Sequence, residues 1–137
     1  MKKVLLDTNI VLDILLKRVD FYKDAVEIIK ISEKNYIKGC LTATTITDIY
    51  YVIKKQYGIE ESLKILSNFI NYIEILKVTE ISIKNALILL IKDFEDAIQV
   101  EIAKENNIEL IITRNYKDFK NSDIKVLTPK EFLSSLN

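Results

Sequence analysis

Apolar residues in this chain come as short continuous runs separated by longer stretches of helical spacing. Val4-Leu5-Leu6 is the first run, and Asp7 stops it. From Ile10 the apolar positions recur as Ile10/Ile14 and Val11/Leu15, so a strand passes almost at once into a helix over 10–16. Phe21, Ala25, Ile28, Ile29 and Ser32 mark a second amphipathic helix over 21–32. Residues 38–43 read as a short strand, followed by Thr44, Thr45 and Thr47, any of which could cap the next helix. That helix runs to about 56 and stops near Gly58; Leu63, Leu66, Phe69 and Ile70 mark another over 60–71. Residues 74–78 read as a strand, and 82–91 as a strongly apolar, largely buried helix. A further helix begins at Asp93 and lasts through Asn106-Asn107. Residues 108–113 form a second buried strand and 124–127 a last one, with Pro129 in the first turn of a closing helix over 130–136. Strands alternating with helices predict an α/β fold with a parallel sheet covered on both faces. No linker, repeat or low-complexity stretch interrupts 1–137, so the expectation is one domain.

Composition narrows the chemistry. The 137 residues are 49% hydrophobic and 29% charged, with only 2 Gly and 1 Pro, too few turn formers for an all-β fold. Lys plus Arg and Asp plus Glu are 20 each, so any polyanion site must be a local patch. Cys40 has no partner for an internal disulfide, and its apolar neighbours predict an inert buried thiol. Lys2-Lys3 before an apolar run faintly mimics a secretion signal, but Asp7 and Asp13 break the core such a signal needs. No apolar run approaches membrane-spanning length, and the expected location is cytoplasmic with no membrane partner. The chain has no histidine, which excludes His-based triads and His–metal sites. Catalysis would have to run on carboxylates, hydroxyls, lysines or a metal.

The acids stand at suggestive places. Asp7 ends a strand, and ligands of open parallel α/β sheets bind at the carboxyl ends of strands. The plain alternative is that Asp7 or Thr8 caps the following helix. In Asp93-Phe94-Glu95-Asp96-Ala97, Asp93 and Asp96 share a helical side with Ala97, Val100 and Ala103, so both should point inward. Glu95 falls beside Gln99 and Ile102, toward solvent. Asp93 could equally cap the helix, with Asp96 a favourable charge in its first turn. Thr113-Arg114-Asn115-Tyr116-Lys117-Asp118 again ends a buried strand in hydroxyl, amide and carboxylate groups, with cations interleaved; a solvated turn is the alternative. Asp48 lies at the edge of its helix's apolar arc and could be an ordinary surface residue. Carboxylates converging on one cleft raise each other's pKa unless a cation sits among them. With Arg18 and Arg114 the only arginines, the natural counter-charge is a divalent metal. An all-oxygen set of Asp, Asn and Thr suits Mg2+ or Mn2+ rather than Zn2+, and such sites fit phosphoryl chemistry. Arg114, Lys117 and Lys120 are candidates for a basic rim beside these acids, able to hold a polyanion.

Leu6-Asp7-Thr8-Asn9-Ile10, Asp93-Phe94-Glu95-Asp96-Ala97, Thr113-Arg114-Asn115-Tyr116-Lys117-Asp118-Phe119 and Val126-Leu127-Thr128-Pro129-Lys130-Glu131-Phe132 together resemble PIN-domain ribonucleases, the fold of VapC-type toxins. The match spans nearly the whole chain in the right order. The resemblance implies a three-layer α/β/α sandwich with a central parallel sheet, often a homodimer. It also implies metal-dependent RNA cleavage leaving 3′-hydroxyl and 5′-phosphate ends, and a cognate antitoxin protein. By it Asp7, Asp96 and Asp118 correspond to metal-binding acids, Asn9 orients Asp7, and Thr113 contacts metal-bound water or phosphate. The family's second acid is usually Glu; here the best match is Asp48, one methylene shorter. Asn115 stands where some relatives carry Asp, leaving Asp118 to supply the fourth acid.

Three other readings compete. A phosphoacceptor receiver domain wants an Asp ending a central strand, where Val78-Thr79-Glu80 has none. An aspartyl phosphohydrolase wants Asp-x-Asp after the first strand, where Asn9 takes the second position. A PIN-like domain that only binds a partner would have little use for so many of the acids.

Overall fold

The computed structural model describes residues 1–136. Five strands, β1 (Lys2–Leu6), β2 (Ile37–Thr42), β3 (Glu74–Leu76), β4 (Leu110–Ile112) and β5 (Lys125–Leu127), form one sheet in the order β3-β2-β1-β4-β5. Every pairing is parallel, with Leu5 opposite both Cys40 and Ile111. Six α-helices flank it: α1 (Thr8–Leu15), α2 (Tyr22–Glu33), α3 (Ala43–Phe69), α4 (Glu80–Ala86), α5 (Phe94–Glu105) and α6 (Pro129–Ser135). The predicted three-layer α/β/α sandwich is the observed architecture.

Period-two alternation divides the apolar residues between two cores. Val4 and Leu6 face a core shared with Ile10, Val11, Ile28, Ile49, Phe69 and Phe132. Leu5 and Ile111 face the other, with Ala97, Val100, Ile102 and Phe119. The chain winds from β1 outward through β2 and β3, then returns to β4 on the other side of β1. That reversal leaves a crevice beyond the carboxyl ends of β1 and β4, where ligands settle in such sheets.

Two local expectations need correction. The stretch 82–91 is not a buried helix. Thr79 and Ser82 form a capping box, α4 ends at Ala86, and Leu87, Ile88 and Leu90 are 66%, 80% and 87% exposed. Thr44, Thr45 and Thr47 do not cap α3, whose N-cap is Thr42; Thr45 is buried and bonded to Thr42 and Thr8. The break expected near Gly58 is present: within α3 Gly58 is non-helical (φ 78°, ψ 177°), with a helical segment on either side of it. That backbone region admits glycine without strain and marks the kink. Pro129 opens α6 behind a Thr128–Glu131 capping box, as its position predicts. Burial and the charge of Glu74 push the Cys40 thiol up to about 12, which keeps it inert.

Candidate active site

Asp7 is the N-cap of α1, so the capping alternative holds, but its carboxylate does more than cap. Oδ1 accepts from the Thr8 backbone N–H at 2.8 Å and from Gln99 Nε2 at 3.0 Å. Oδ2 accepts from the Thr113 hydroxyl at 2.6 Å and from Asn9 Nδ2 at 3.2 Å. Backbone bonding from Asp7 N–H to Ile112 O joins β1 to β4 at this point. Groups far apart in sequence are thus gathered on one buried carboxylate. Asn9 lies within hydrogen-bond reach of Asp7, the residue it was expected to orient. Thr113 is fully buried and donates to Asp7, so its placement is that of a group that orients Asp7 rather than one that touches phosphate.

An open cleft of about 280 Å³ lies beyond these strand ends, lined by Asp7, Thr8, Asn9, Leu12, Asp48, Asp93, Glu95, Asp96, Asn115 and Asp118. The expected acids therefore do meet, and α5 brings them there from the far side. Asp93 is exposed at the N-cap of α5 and accepts from the Asp96 N–H at 3.1 Å; it lines the rim rather than pointing inward. Asp96 follows in the first turn, half-buried. Burial, then the charges of Asp7, Asp93 and Asp118, push its carboxyl from the ordinary 3.8 up to about 7. Asp118 and Asn115 come from the loop after β4, a short 3-10 turn (Tyr116–Phe119) pinned by buried Phe119.

Glu95 is the residue whose placement the helical spacing misjudged. It faces the cleft, accepts from the Thr8 hydroxyl at 3.1 Å and lies against Asp48 closely enough for the two carboxyls to share a hydrogen bond. Burial first, then Asp48, push it up to about 8. Gln99, expected beside it toward solvent, is fully buried and bridges Asp7 to Asp96 through Nε2 at 3.0 and 3.4 Å. Both errors have one cause. From Ala97 to Ala103 α5 is buried all round, so no face of it looks to water and apolar spacing stops reporting direction. The signal that remained was the i, i+4 spacing of Glu95 and Gln99, which places both polar side chains on one side of the helix.

The basic candidates divide. Lys117 and Lys120 are exposed on the loop beside the cleft. Arg114 is turned away from it, its guanidinium held by buried Asp13 at 2.7 and 3.1 Å.

Among the described residues no three acids close on a common point, as expected of like charges with no cation between them. The donor set nevertheless fits one. It is all oxygen, Glu95 and Asp96 are pushed up by burial and by neighbouring carboxylates, and two buried amide oxygens, Asn9 Oδ1 and Gln99 Oε1, have no hydrogen-bond partner. Hard oxygen donors of this kind suit Mg2+ or Mn2+.

A doubly wound parallel sheet with an acid-lined crevice at its switch point is the arrangement of a PIN domain. A PIN domain family model matches residues 3–117, and the chain belongs to that family. Among its relatives is Ribonuclease VapC1 of Aquifex aeolicus, 31% identical over 141 aligned positions that cover 99% of this chain and 96% of that protein. A solved structure of VapBC2 from Rickettsia felis, bound to a DNA fragment from its promoter, shares the fold. Its TM-score is 0.72 at 19% identity, over 92% of this chain and 98% of that one. A toxin–antitoxin complex from Klebsiella pneumoniae matches with a TM-score of 0.69 at 25% identity, over 92% of this chain and 97% of that one.

Proposed function

We propose that residues 1–137 form one PIN-like domain acting as a metal-dependent endoribonuclease, the toxin of a toxin–antitoxin pair. The observation that carries this is the cleft itself: Asp7, Asp48, Glu95, Asp96 and Asp118 line one crevice at the ends of β1 and β4, with Asp96 and Glu95 pushed up to about 7 and 8. So many acids facing one another disfavour the metal-free fold, which makes sense if a cation offsets them. Asp7, Asp96 and Asp118 would hold Mg2+ or Mn2+, with Asp48 and Glu95 lining the same cleft. A bound cation there supplies polarisation of the phosphodiester and a more acidic water.

The protein's own side chains do the rest. Thr113, Asn9, Gln99 and the Thr8 N–H keep both oxygens of Asp7 oriented. Thr8 steadies Glu95, and Asn115 offers an amide at the cleft edge. Lys117 and Lys120, exposed beside the acids, attract the RNA backbone. The relatives support a small antitoxin protein as partner. Exposed Leu87, Ile88 and Leu90, an apolar run of the kind that marks protein contacts, support the homodimer included in this reading. A cytoplasmic location is part of this reading; among the described residues no helix is long and apolar enough to cross a membrane.

The test is labelled structured RNA incubated with purified protein and Mg2+, Mn2+ or EDTA. Cleavage with metal, its loss with EDTA, and 3′-hydroxyl and 5′-phosphate ends are expected. Cleavage that survives EDTA, or none with either metal, overturns the proposal.

A further inference from the structure

We propose that Arg114 is a positioning residue for the cleft, acting through the buried carboxylate of Asp13; the inference rests on the nuclease reading above. Asp13 lies within α1, is fully shielded from solvent and does not line the cleft, yet both arginines of the chain converge on it. Arg114 reaches Oδ2 through Nε at 2.7 Å and Oδ1 through Nη2 at 3.1 Å; Arg18 Nη1 lies 3.3 Å from Oδ1. The Arg114 Cζ also sits 3.8 Å from the centre of the Phe21 ring. A two-pronged bond on one side and a ring face on the other leave the guanidinium a single geometry. Buried ion pairs are weak sources of stability, because desolvation offsets the attraction, so stability alone is a poor reason for this one.

Its position supplies a better reason. Arg114 stands between Thr113, which donates to Asp7, and Asn115, whose N–H donates to Thr113 Oγ1 at 3.1 Å and whose residue lines the cleft with Asp118. Helix α1 carries Asp7 at its N-cap and Asp13 further along. The loop after β4 is thus fastened to α1 at two points, Thr113 to Asp7 and Arg114 to Asp13. One fastening would let the loop pivot. Two set its orientation, and with it where Asn115 and Asp118 stand relative to Asp7.

The experiment compares wild type with Arg114→Met, Arg114→Lys and the double variant Asp13→Leu/Arg114→Met. Mn2+ affinity is read by electron paramagnetic resonance, kcat and KM by RNA cleavage, and folding by thermal melts. The double variant exchanges the buried pair for apolar side chains, a change that such sites tolerate or gain from. It therefore tests placement in a folded protein. Arg114→Met and the double variant should lose about 10- to 100-fold in Mn2+ affinity and kcat, as supporting partners of metal sites do, with KM little changed. Arg114→Lys should recover only part, since an ammonium lacks the fork. Wild-type kcat and Mn2+ affinity in the folded double variant overturn the proposal. A loss confined to KM, with a shallower salt dependence of RNA binding, also overturns it and makes Arg114 an RNA contact. Wild type that binds no Mn2+ and cuts no RNA overturns the nuclease reading and this inference together. Active, Mn2+-binding wild type beside variants that match it overturns this inference alone.

Discussion

Neutralising an acid in a crowded cleft would, by charge alone, stabilise the metal-free protein whichever acid is chosen. The geometry separates Asp7 from Asp96. Asp7 is 6% exposed and accepts four hydrogen bonds at 2.6–3.2 Å, two on each oxygen. Asp7→Asn turns one oxygen into a donor that faces donors and removes the charge that strengthened the rest. Hydrogen bonds to charged groups contribute about 1.5–3 kcal/mol each, and a partly satisfied amide keeps some of them. A net loss of about 2 kcal/mol is expected after relief of repulsion. Asp96 accepts only the long 3.4 Å contact from Gln99 among the described residues. Its rise from 3.8 to about 7 corresponds to about 4 kcal/mol at full burial. The group is only half-buried, and solvent screening reduces this to about 1–2 kcal/mol in favour of Asp96→Asn.

The sign depends on pH. A carboxyl whose folded pKa lies above its unfolded one contributes stability below about pH 4 and loses it as pH rises through about 7. Below about pH 4 the carboxyl is protonated both folded and unfolded, so Asp96→Asn should change little there. At pH 5 the unfolded carboxyl is already ionised, so about two-fifths of the gain is present, and nearly all of it by about pH 8. With an unfolding entropy of about 2.1 cal/mol/K per residue over 137 residues, 1 kcal/mol moves Tm by about 3–4 °C. Melts in EDTA at pH 5 and pH 8 should therefore show Asp7→Asn down by about 7 °C at pH 8. Asp96→Asn should be up by about 3–7 °C at pH 8 and by about two-fifths of that at pH 5. Shifts of the same sign in both variants at pH 8, or an Asp96→Asn gain at pH 5 as large as at pH 8, would refute the division of labour between the two acids.

Asp48→Ala should relax the pressure on Glu95 and shrink the rise in Tm produced by Mn2+, while Asp48→Glu should crowd Glu95 and fail to restore it; melts with and without Mn2+ decide, and an unchanged Mn2+ effect in Asp48→Ala removes Asp48 from the site. Charge reversal at Lys117 and Lys120, in an inactive Asp96→Asn background, should weaken RNA binding and lower its salt slope by about 0.7 for each phosphate no longer neutralised; fluorescence anisotropy across a salt series reads this, and an unchanged slope moves the RNA surface elsewhere. Gly58→Ala should destabilise by about 1 kcal/mol although a methyl there meets no atom within 4 Å, because φ is 78°; a neutral result in urea unfolding would mean that the kink relaxes at no cost.

The element order was legible in the pattern of apolar runs and helical spacing because strand and helix periods are local properties of the backbone. The positions of Asp7, Asp96 and Thr113 at the ends of elements were legible for the same reason. Where a residue points is settled by what surrounds its element. Glu95 and Gln99 turn inward because α5 is wrapped on all sides, a fact held by β4, α4 and the loop at Phe119 rather than by α5 itself. The run at Leu87, Ile88 and Leu90 looks like core by composition, yet the capped, short α4 ends before it and leaves it in solvent. Arg114 looks like a rim cation until Asp13, 101 residues away in sequence, takes it up. Local sequence determined which segments become strands and helices and which of them end in acids. Only tertiary structure decided which charges share a cleft, which hydrogen bonds hold Asp7 and which cations are already taken. Those outcomes depend on pairs far apart in the chain, brought together by the order in which the strands assemble.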